Sequence, residues 1–241
     1  MRILGLSDTG LVRNSNQDAF YCHNVSDTCA WAVVCDGMGG VNGGNIASQT
    51  AVQTIKEKFI DEFSLELNPQ EIKSKMVDVM SEANRVIFEM AQNDVALHGM
   101  GTTCEFILVK DGQIYITHIG DSRTYIIHDG KLSQLTEDHS VVQELVRRGE
   151  ITPEEAENHP NKNYITRALG ILSEVTFDFI NCDMAFGDVL LVCTDGLTNC
   201  ISSADIVMTV SQNMGDDLLS TLIDKAKSGG GYDNITAVVM Y

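Results

Sequence analysis

The chain has 241 residues, 44 % of them hydrophobic, and a formal charge of −18. That is enough for one large domain or two small ones, and apolar enough to bury a full core rather than stay disordered. The acidity argues against a nucleic-acid partner gripped through its phosphates, no apolar run approaches the ~18 residues of a membrane span, and "MRILGLSDTG" at the start is too short in apolar residues for a signal peptide.

Strand-like runs open the chain at 2–7, 17–22 and 30–35. The third stops at "VVCDGMGGVNGG", an Asp-Gly followed by further glycines. Two helical patterns come next, about 45–63 and 69–93. In the second, Ile72, Met76, Val79, Met80, Ala83, Val86, Ile87 and Met90 form a stripe, and Pro69 suits its first turn. Runs at 103–110, 113–119 and 123–128 follow, and "VKDGQ" and "HDGK" carry the Asp-Gly signal of tight hairpins. Residues 139–165 are polar, charged and poor in strand formers, which predicts a small helical insertion on the surface. Strand-like runs at 175–181, 188–194 and 235–240 enclose two shorter helices, 203–213 and 216–228. The strands do not alternate one-for-one with helices, so antiparallel sheets covered by helices fit better than a parallel α/β fold.

The seven cysteines contain no C-x-x-C pair, and none is followed six positions later by arginine. This disfavours a disulfide framework, a thiolate zinc site and the phosphate loop of cysteine-dependent phosphatases. The absence of D-x-D and of G-x-x-x-x-G-K-[ST] removes the EF-hand loop, the aspartyl-phosphate motif and the P-loop. What recurs is aspartate at strand ends. Asp36 follows "WAVVC", Asp195 follows "VLLVCT", Asp121 follows "IYITHIG", Asp233 precedes "ITAVVM", and Asp18 opens the run after "RNSNQ". One such aspartate is ordinarily a turn residue. Repetition beside buried strands with few basic neighbours points instead to a cleft holding cations. Hard carboxylate oxygens favour Mg²⁺ or Mn²⁺ over zinc.

In order, "RNSNQD", "VVCDGMGG", "MGTTCEFILV", "IGDSRTY", "ITRALG", "LLVCTDGL" and "YDNITAVVM" resemble the bacterial members of the metal-dependent protein phosphatases, the protein phosphatase 2C family, over essentially the whole chain. The resemblance implies an α+β fold: a four-layer α-β-β-α sandwich, two mainly antiparallel sheets flanked by helices, in a single domain 1–241 with 139–165 as a flap. It implies hydrolysis of phosphoserine and phosphothreonine by a water or hydroxide bridging two Mn²⁺ or Mg²⁺ ions. By motif, Asp36 bridges both ions and the Gly37 carbonyl helps hold one. Asp195 and Asp233 complete the other, and Asp18 acts through bound water. Arg13 stands in the phosphate-binding position, and Asn234 orients ligands or waters. Asp121 matches an aspartate that helps bind a third, weaker ion. Its alternatives are a turn residue bonded to the Ser122 or Arg123 amide, or a partner of Arg123. Gly39 and Gly40 are expected to keep the approach to the site open, and Gly43 and Gly44 to introduce the helix.

The chain departs from the family at two places where others carry a histidine: it has Met38 and Val41. His139 is then a candidate acid for the leaving group, weighed against a structural role. Arg167 is expected to pair with an acidic residue near the cleft. The expected partners are phosphorylated proteins, a cognate Ser/Thr protein kinase among them, and the expected setting is a cytoplasmic monomer. Two other readings stay open, a catalytically inactive binding module and a phosphatase of small phosphoesters.

Overall fold

A computed structural model describes residues 1–213 and 215–241, with the side chains of Val41 and Asn42 outside the described residues. Val41, at one of the two histidine places, is therefore known by its backbone alone. The first sheet is ordered β1 (Ile3–Asp8), β11 (Ile235–Met240), β10 (Val189–Cys193), β7 (Arg123–His128) and β8 (Lys131–Gln134). The second is ordered β2 (Asp18–Ser26), β3 (Cys29–Met38), β5 (Cys104–Lys110), β6 (Gln113–Ile119) and β9 (Asp178–Asp183), with the two-residue β4 (Gly101–Thr102) beside β3. All the strand pairs are antiparallel. Both predicted hairpins form. Asp111 and Gly112 between β5 and β6, and Asp129 and Gly130 between β7 and β8, all take positive φ, as tight two-residue turns require.

Helices α1 (Gly40–Glu62) and α2 (Pro69–Asn93) cover the second sheet, and α6 (Ser203–Gln212) and α7 (Asp216–Ser228) cover the first. The result is the expected four-layer α-β-β-α sandwich. Start signals of α2 are complete. The Asn68 side chain accepts from the amides of Gln70 and Glu71, the Glu71 carboxylate returns to the Asn68 amide, and Pro69 opens the helix. Within 139–165 lie two short helices, α3 (Val141–Arg147) and α4 (Pro153–Glu157). No helix among the described residues is long and apolar enough to cross a membrane.

Strand β3 explains why its sequence is apolar without alternation. Trp31, Val33 and Cys35 face α1 and α2, whereas Ala32 and Val34 face the other sheet. Both faces are buried, so both must be apolar. The layer between the sheets continues through Ile107 and Val109 of β5, Ile114 and Ile116 of β6, Leu190 and Val192 of β10, and Val238 and Met240 of β11.

Three expectations shift. Residues 175–181 were expected as one strand, but β9 starts at Asp178. Val175 and Phe177 before it pack on the α1–α2 core without strand pairing. Asp36 lies within β3 rather than after it, because β4 extends the pairing as Gly37 opposite Thr102 and Met38 opposite Gly101. Gly43 and Gly44 lie inside α1, which starts at Gly40, and so do not precede the helix.

Candidate active site

At one end of the sandwich the inter-sheet layer turns polar while the strands keep their period of two. On β3, Ala32 and Val34 are followed on the same face by Asp36. Asp18 stands directly opposite Asp36 in the β2–β3 register. On β10 and β11 the same step from Val192 and Val238 reaches Thr194 and Thr236. Both threonine hydroxyls donate to Asp18 Oδ2, at 2.9 and 2.7 Å.

The backbone of Asp36 is clamped. Its amide donates to Thr103 Oγ1 at 2.9 Å, and its carbonyl accepts from the Thr103 amide at 2.9 Å and the Thr102 hydroxyl at 2.8 Å. Thr103 Oγ1 also lies 2.7 Å from Ser122 Oγ. Asp195 opens the short helix α5 (Asp195–Thr198) just after β10, and its Oδ2 accepts from Asn199 Nδ2 at 3.0 Å. Asp233 Oδ2 accepts from Arg13 Nη2 at 2.7 Å and its Oδ1 from the Asn234 amide at 2.8 Å. A cleft of about 860 Å³ carries Arg13, Asp36, Gly37, Asp121, Asp195 and Asp233 on its wall. Asp18 lies buried beneath it, 7 % exposed.

The glycines of "DGMGGVNGG" answer to close packing. A Cβ on Gly37 would run into the Gly44 and Gln17 carbonyl oxygens, and one on Gly44 would strike the Gly37 carbonyl. The first turn of α1 therefore presses directly on the end of β3, which only paired glycines permit. Gly196 is packed as closely, since a Cβ there would collide with the Asn234 carbonyl. Gly39 also differs from expectation, because its Cβ would lie 2.6 Å from Met100 Cα rather than in open space.

The carboxyl groups repel one another in the absence of a cation. Burial, and then the charges of Asp195 and Asp233, raise Asp18 to about 7 against the pull of its two threonine donors. Burial followed by Asp18 and Asp195 raises Asp36 well above the carboxylate range. Burial and then Asp195 and Asp138 raise Asp121 to about 7, and burial with Asp233 raises Asp195. Arg13 is the one cationic side chain on the cleft wall among the described residues. Among those residues, no group of three or more His, Cys, Asp or Glu side chains is already gathered as an ion would hold it. The donor set nevertheless fits a hard cation. Asp18 Oδ1 and Asp195 Oδ1 are buried without a hydrogen-bond partner, a costly state for carboxylate oxygens that a divalent ion would relieve.

Several residues take roles that the sequence left open. Asn234 spends its side chain on the main chain rather than on waters: its Oδ1 accepts from the Gln17 amide, and its Nδ2 donates to the Thr9 and Ser15 carbonyls. It fastens the loop that carries Arg13. Arg123 does not pair with Asp121. It holds Asp138 with two nitrogens, at 2.9 and 2.7 Å, which leaves Asp121 turned to the cleft. Arg167 pairs with Asp178 at 2.9 Å. His139 is buried away from the cleft wall. Its Nδ1 accepts from the Gly120 amide at 3.1 Å, so its proton sits on Nε2, 3.2 Å from Asp178 Oδ2. Burial, with His118 nearby, holds it down to about 4. It braces the turn before Asp121 and is not placed to protonate a leaving group.

One buried pair escaped the sequence reading. Glu105 and His118 stand opposite each other on β5 and β6, fully buried, with Glu105 Oε1 bonded to His118 Nδ1. Thr124 donates to Glu105 Oε2 at 2.6 Å, and His118 Nε2 donates to the Glu137 carbonyl at 2.9 Å. The Glu137 carbonyl fixes a proton on Nε2, and an ionised Glu105 beside Nδ1 favours a second one there. Burial would lower His118, but the adjacent Glu105 outweighs it and holds the ring above its ordinary value. Extending the alternation from Ile107 and Ile116 would have placed both residues in this layer.

Fold and cleft together define a class, the four-layer phosphatase sandwich. A solved serine/threonine phosphatase from S. agalactiae superposes with a TM-score of 0.92 at 38 % identity, covering 100 % of this chain and 98 % of that one. The model of the family described as Protein phosphatase 2C matches residues 12–226, and the chain belongs to that family. The protein phosphatase PhpP of Streptococcus pneumoniae is 39 % identical over 242 residues, covering 100 % of this chain and 97 % of that protein. The catalytic domain of the serine/threonine phosphatase PstP, solved with two manganese ions, is 35 % identical with a TM-score of 0.86, covering 99 % of this chain and 96 % of that one.

Proposed function

We propose that the protein is a metal-dependent protein-serine/threonine phosphatase whose single catalytic domain spans 1–241, with 139–165 as a flap beside the cleft. The observation that carries this reading is the pair of buried carboxylate oxygens without hydrogen-bond partners, Asp195 Oδ1 at the cleft and Asp18 Oδ1 beneath it. The serine/threonine phosphatase names of full-length relatives support it. Its substrates are phosphorylated proteins, and it counteracts a Ser/Thr protein kinase of the same cell.

Asp36, the Gly37 carbonyl, Asp195 and Asp233 would hold two Mn²⁺ or Mg²⁺ ions, Asp36 serving both, and Asp18 would act on them through water. Asp121, facing the same cleft as Asp195, contributes to a third, weaker ion. When bound, the ions supply an activated water and neutralise charge on the transferring phosphoryl group. Arg13 grips two phosphate oxygens. Arg13 lies against Asp233 at 2.7 Å, which sets its guanidinium on the wall of the cleft beside the carboxylates. Thr102 and Thr103 keep Asp36 in place, and Thr194 and Thr236 do the same for Asp18.

Steady-state hydrolysis of a phosphothreonine peptide tests this. Chelation should abolish turnover and added Mn²⁺ restore it. Arg13→Ala should raise KM more than it lowers kcat. Full turnover in exhaustively chelated protein would overturn the mechanism. A rate on small phosphoesters with none on phosphopeptides would reassign the substrate.

A further inference from the structure

Beside Arg13 the cleft has an apolar lip. Val12 is 60 % exposed and Tyr232 is 66 % exposed, and both line the same cavity as Asp36, Asp195 and Asp233. Each immediately precedes a charged residue of the wall, Arg13 and Asp233, and those two are joined at 2.7 Å. The lip is built on fastened backbone. The Leu11 amide donates to the Gly231 carbonyl at 2.8 Å, and Asn234 Nδ2 reaches the carbonyls on either side of the lip's first strand of chain, Thr9 and Ser15. The Tyr232 ring lies back over Gly230, where a Cβ would collide with it. Two large apolar side chains are thus held out to solvent on a rigid platform, in a chain of charge −18, and no described residue covers them.

We propose that Val12 and Tyr232 form a docking step for an apolar side chain of the substrate polypeptide, within two residues of the phosphorylated serine or threonine. The proposal rests on the phosphatase reading of the cleft. The occupant follows from continuity and charge. An extended chain advances about 3.3 Å per residue, so a phosphate held by Arg13 brings the neighbouring side chains to the residues flanking Arg13. Arg13 disfavours a basic side chain there. Asp233, the carboxylate nearest the lip in sequence, is already committed, and an acidic side chain meets the general negative field. An apolar side chain gains burial against Val12 and the ring without either cost.

The test uses the full chain loaded with Mn²⁺ and a set of phosphothreonine peptides. Each carries leucine, serine or lysine at one position within two residues of the phosphothreonine. At one of these positions leucine should raise kcat/KM over serine by roughly tenfold, mainly through KM. Tyr232→Ser and Val12→Ser should each pull that ratio toward unity. Both residues are exposed, so the variants should keep the fold, which circular dichroism checks. No leucine preference at any position, a preference for lysine, or a ratio unchanged in both variants would overturn the proposal. So would a loss of self-association in Tyr232→Ser without a change in peptide preference, which would make the lip an interface between copies. A wild-type enzyme inactive on every phosphopeptide would remove the phosphatase reading itself, and the docking step with it.

Discussion

The two ends of the inter-sheet layer share their strands, their faces and their period, yet do opposite work. At one end Ala32, Val34, Ile107, Ile116, Leu190 and Val238 fill the space between the sheets, each fully buried Val, Leu or Ile contributing about 1.5–3 kcal/mol. At the other end the same strands present Asp18, Asp36, Glu105, His118, Thr194 and Thr236. That end forgoes the apolar gain and carries desolvation costs of several kcal/mol per buried ion. It remains folded because most of its polar atoms are paired; among the described residues the buried carboxylate oxygens left without a hydrogen bond are Asp195 Oδ1 at the cleft and Asp18 Oδ1 beneath it. The difference teaches that one scaffold can be cohesive at one end and, at the other, leave carboxylate oxygens without partners where the proposed reading places a cation.

The largest effect should come from Asp36→Asn. Turnover on phosphopeptides should fall well beyond the ~10–100-fold typical of losing a group that merely supports a metal ligand. The ion-free variant should melt at or above wild type, because one of several mutually repelling carboxyls is gone. A variant with near-normal turnover would erase the distinction between the two ends.

Next is the buried pair. Glu105→Ala leaves His118 buried without its counter-charge and should cost about 3–5 kcal/mol in urea unfolding. Replacing both residues by leucine should cost less than that single change. At the apolar end Ile107→Ala should cost about 2–5 kcal/mol through its cavity, and no second substitution at a polar partner can offset it. A double variant at 105 and 118 that is worse than Glu105→Ala would show that the pair contributes more than mutual compensation.

A pH effect should follow in the ion-free protein. Asp18 and Asp121 sit at about 7 and Asp36 and Asp195 are raised as well, from an ordinary value of 3.8. The native state therefore binds the extra protons in that interval, so stability is full below about 4 and is lost as pH rises through about 7. His139, held at about 4 against an ordinary 6.5, acts in the opposite sense, one group against four. The chelated protein should melt higher near about pH 5 than near about pH 7.5, and Mn²⁺ should narrow the gap. A melting temperature that instead rises over this range without metal would show that the polar end is not under charge repulsion.

The smallest effect is reserved for Asp121→Ala on the cleft wall. The two core ions should stay bound, turnover should fall, and the Mn²⁺ concentration for half-maximal rate should rise, by roughly tenfold. An unchanged metal titration would return Asp121 to the status of a turn residue.

Much of this was readable along the chain because it is local. Asp-Gly turns need positive φ at both central residues, so both hairpins were visible. The stripe of α2 and its start at Pro69 follow from helical spacing and from the fit of proline to a first turn, and the structure adds the Asn68 cap. The aspartates were visible through their repetition at strand ends and through the order of the motifs around them. Less visible were β8, which is short and exposed on one edge, and α5, whose four residues carry no periodicity.

Other features exist only once the sheets close. Glu105 sits in an ordinary strand segment, and nothing near it in sequence announces His118, which becomes its partner through the β5–β6 register. Thr194 and Thr236 meet Asp18 from 176 and 218 residues away. Gly37 and Gly44 prove to be a matched contact because a helix packs on a strand end. Residue type and short-range spacing determine turns, helices and the chemical kind of the site, because those depend on neighbours along the chain. Which polar atoms are satisfied, which oxygens are left facing a cation, and which apolar side chains remain uncovered beside them depend on neighbours across it, and only the tertiary structure decides those.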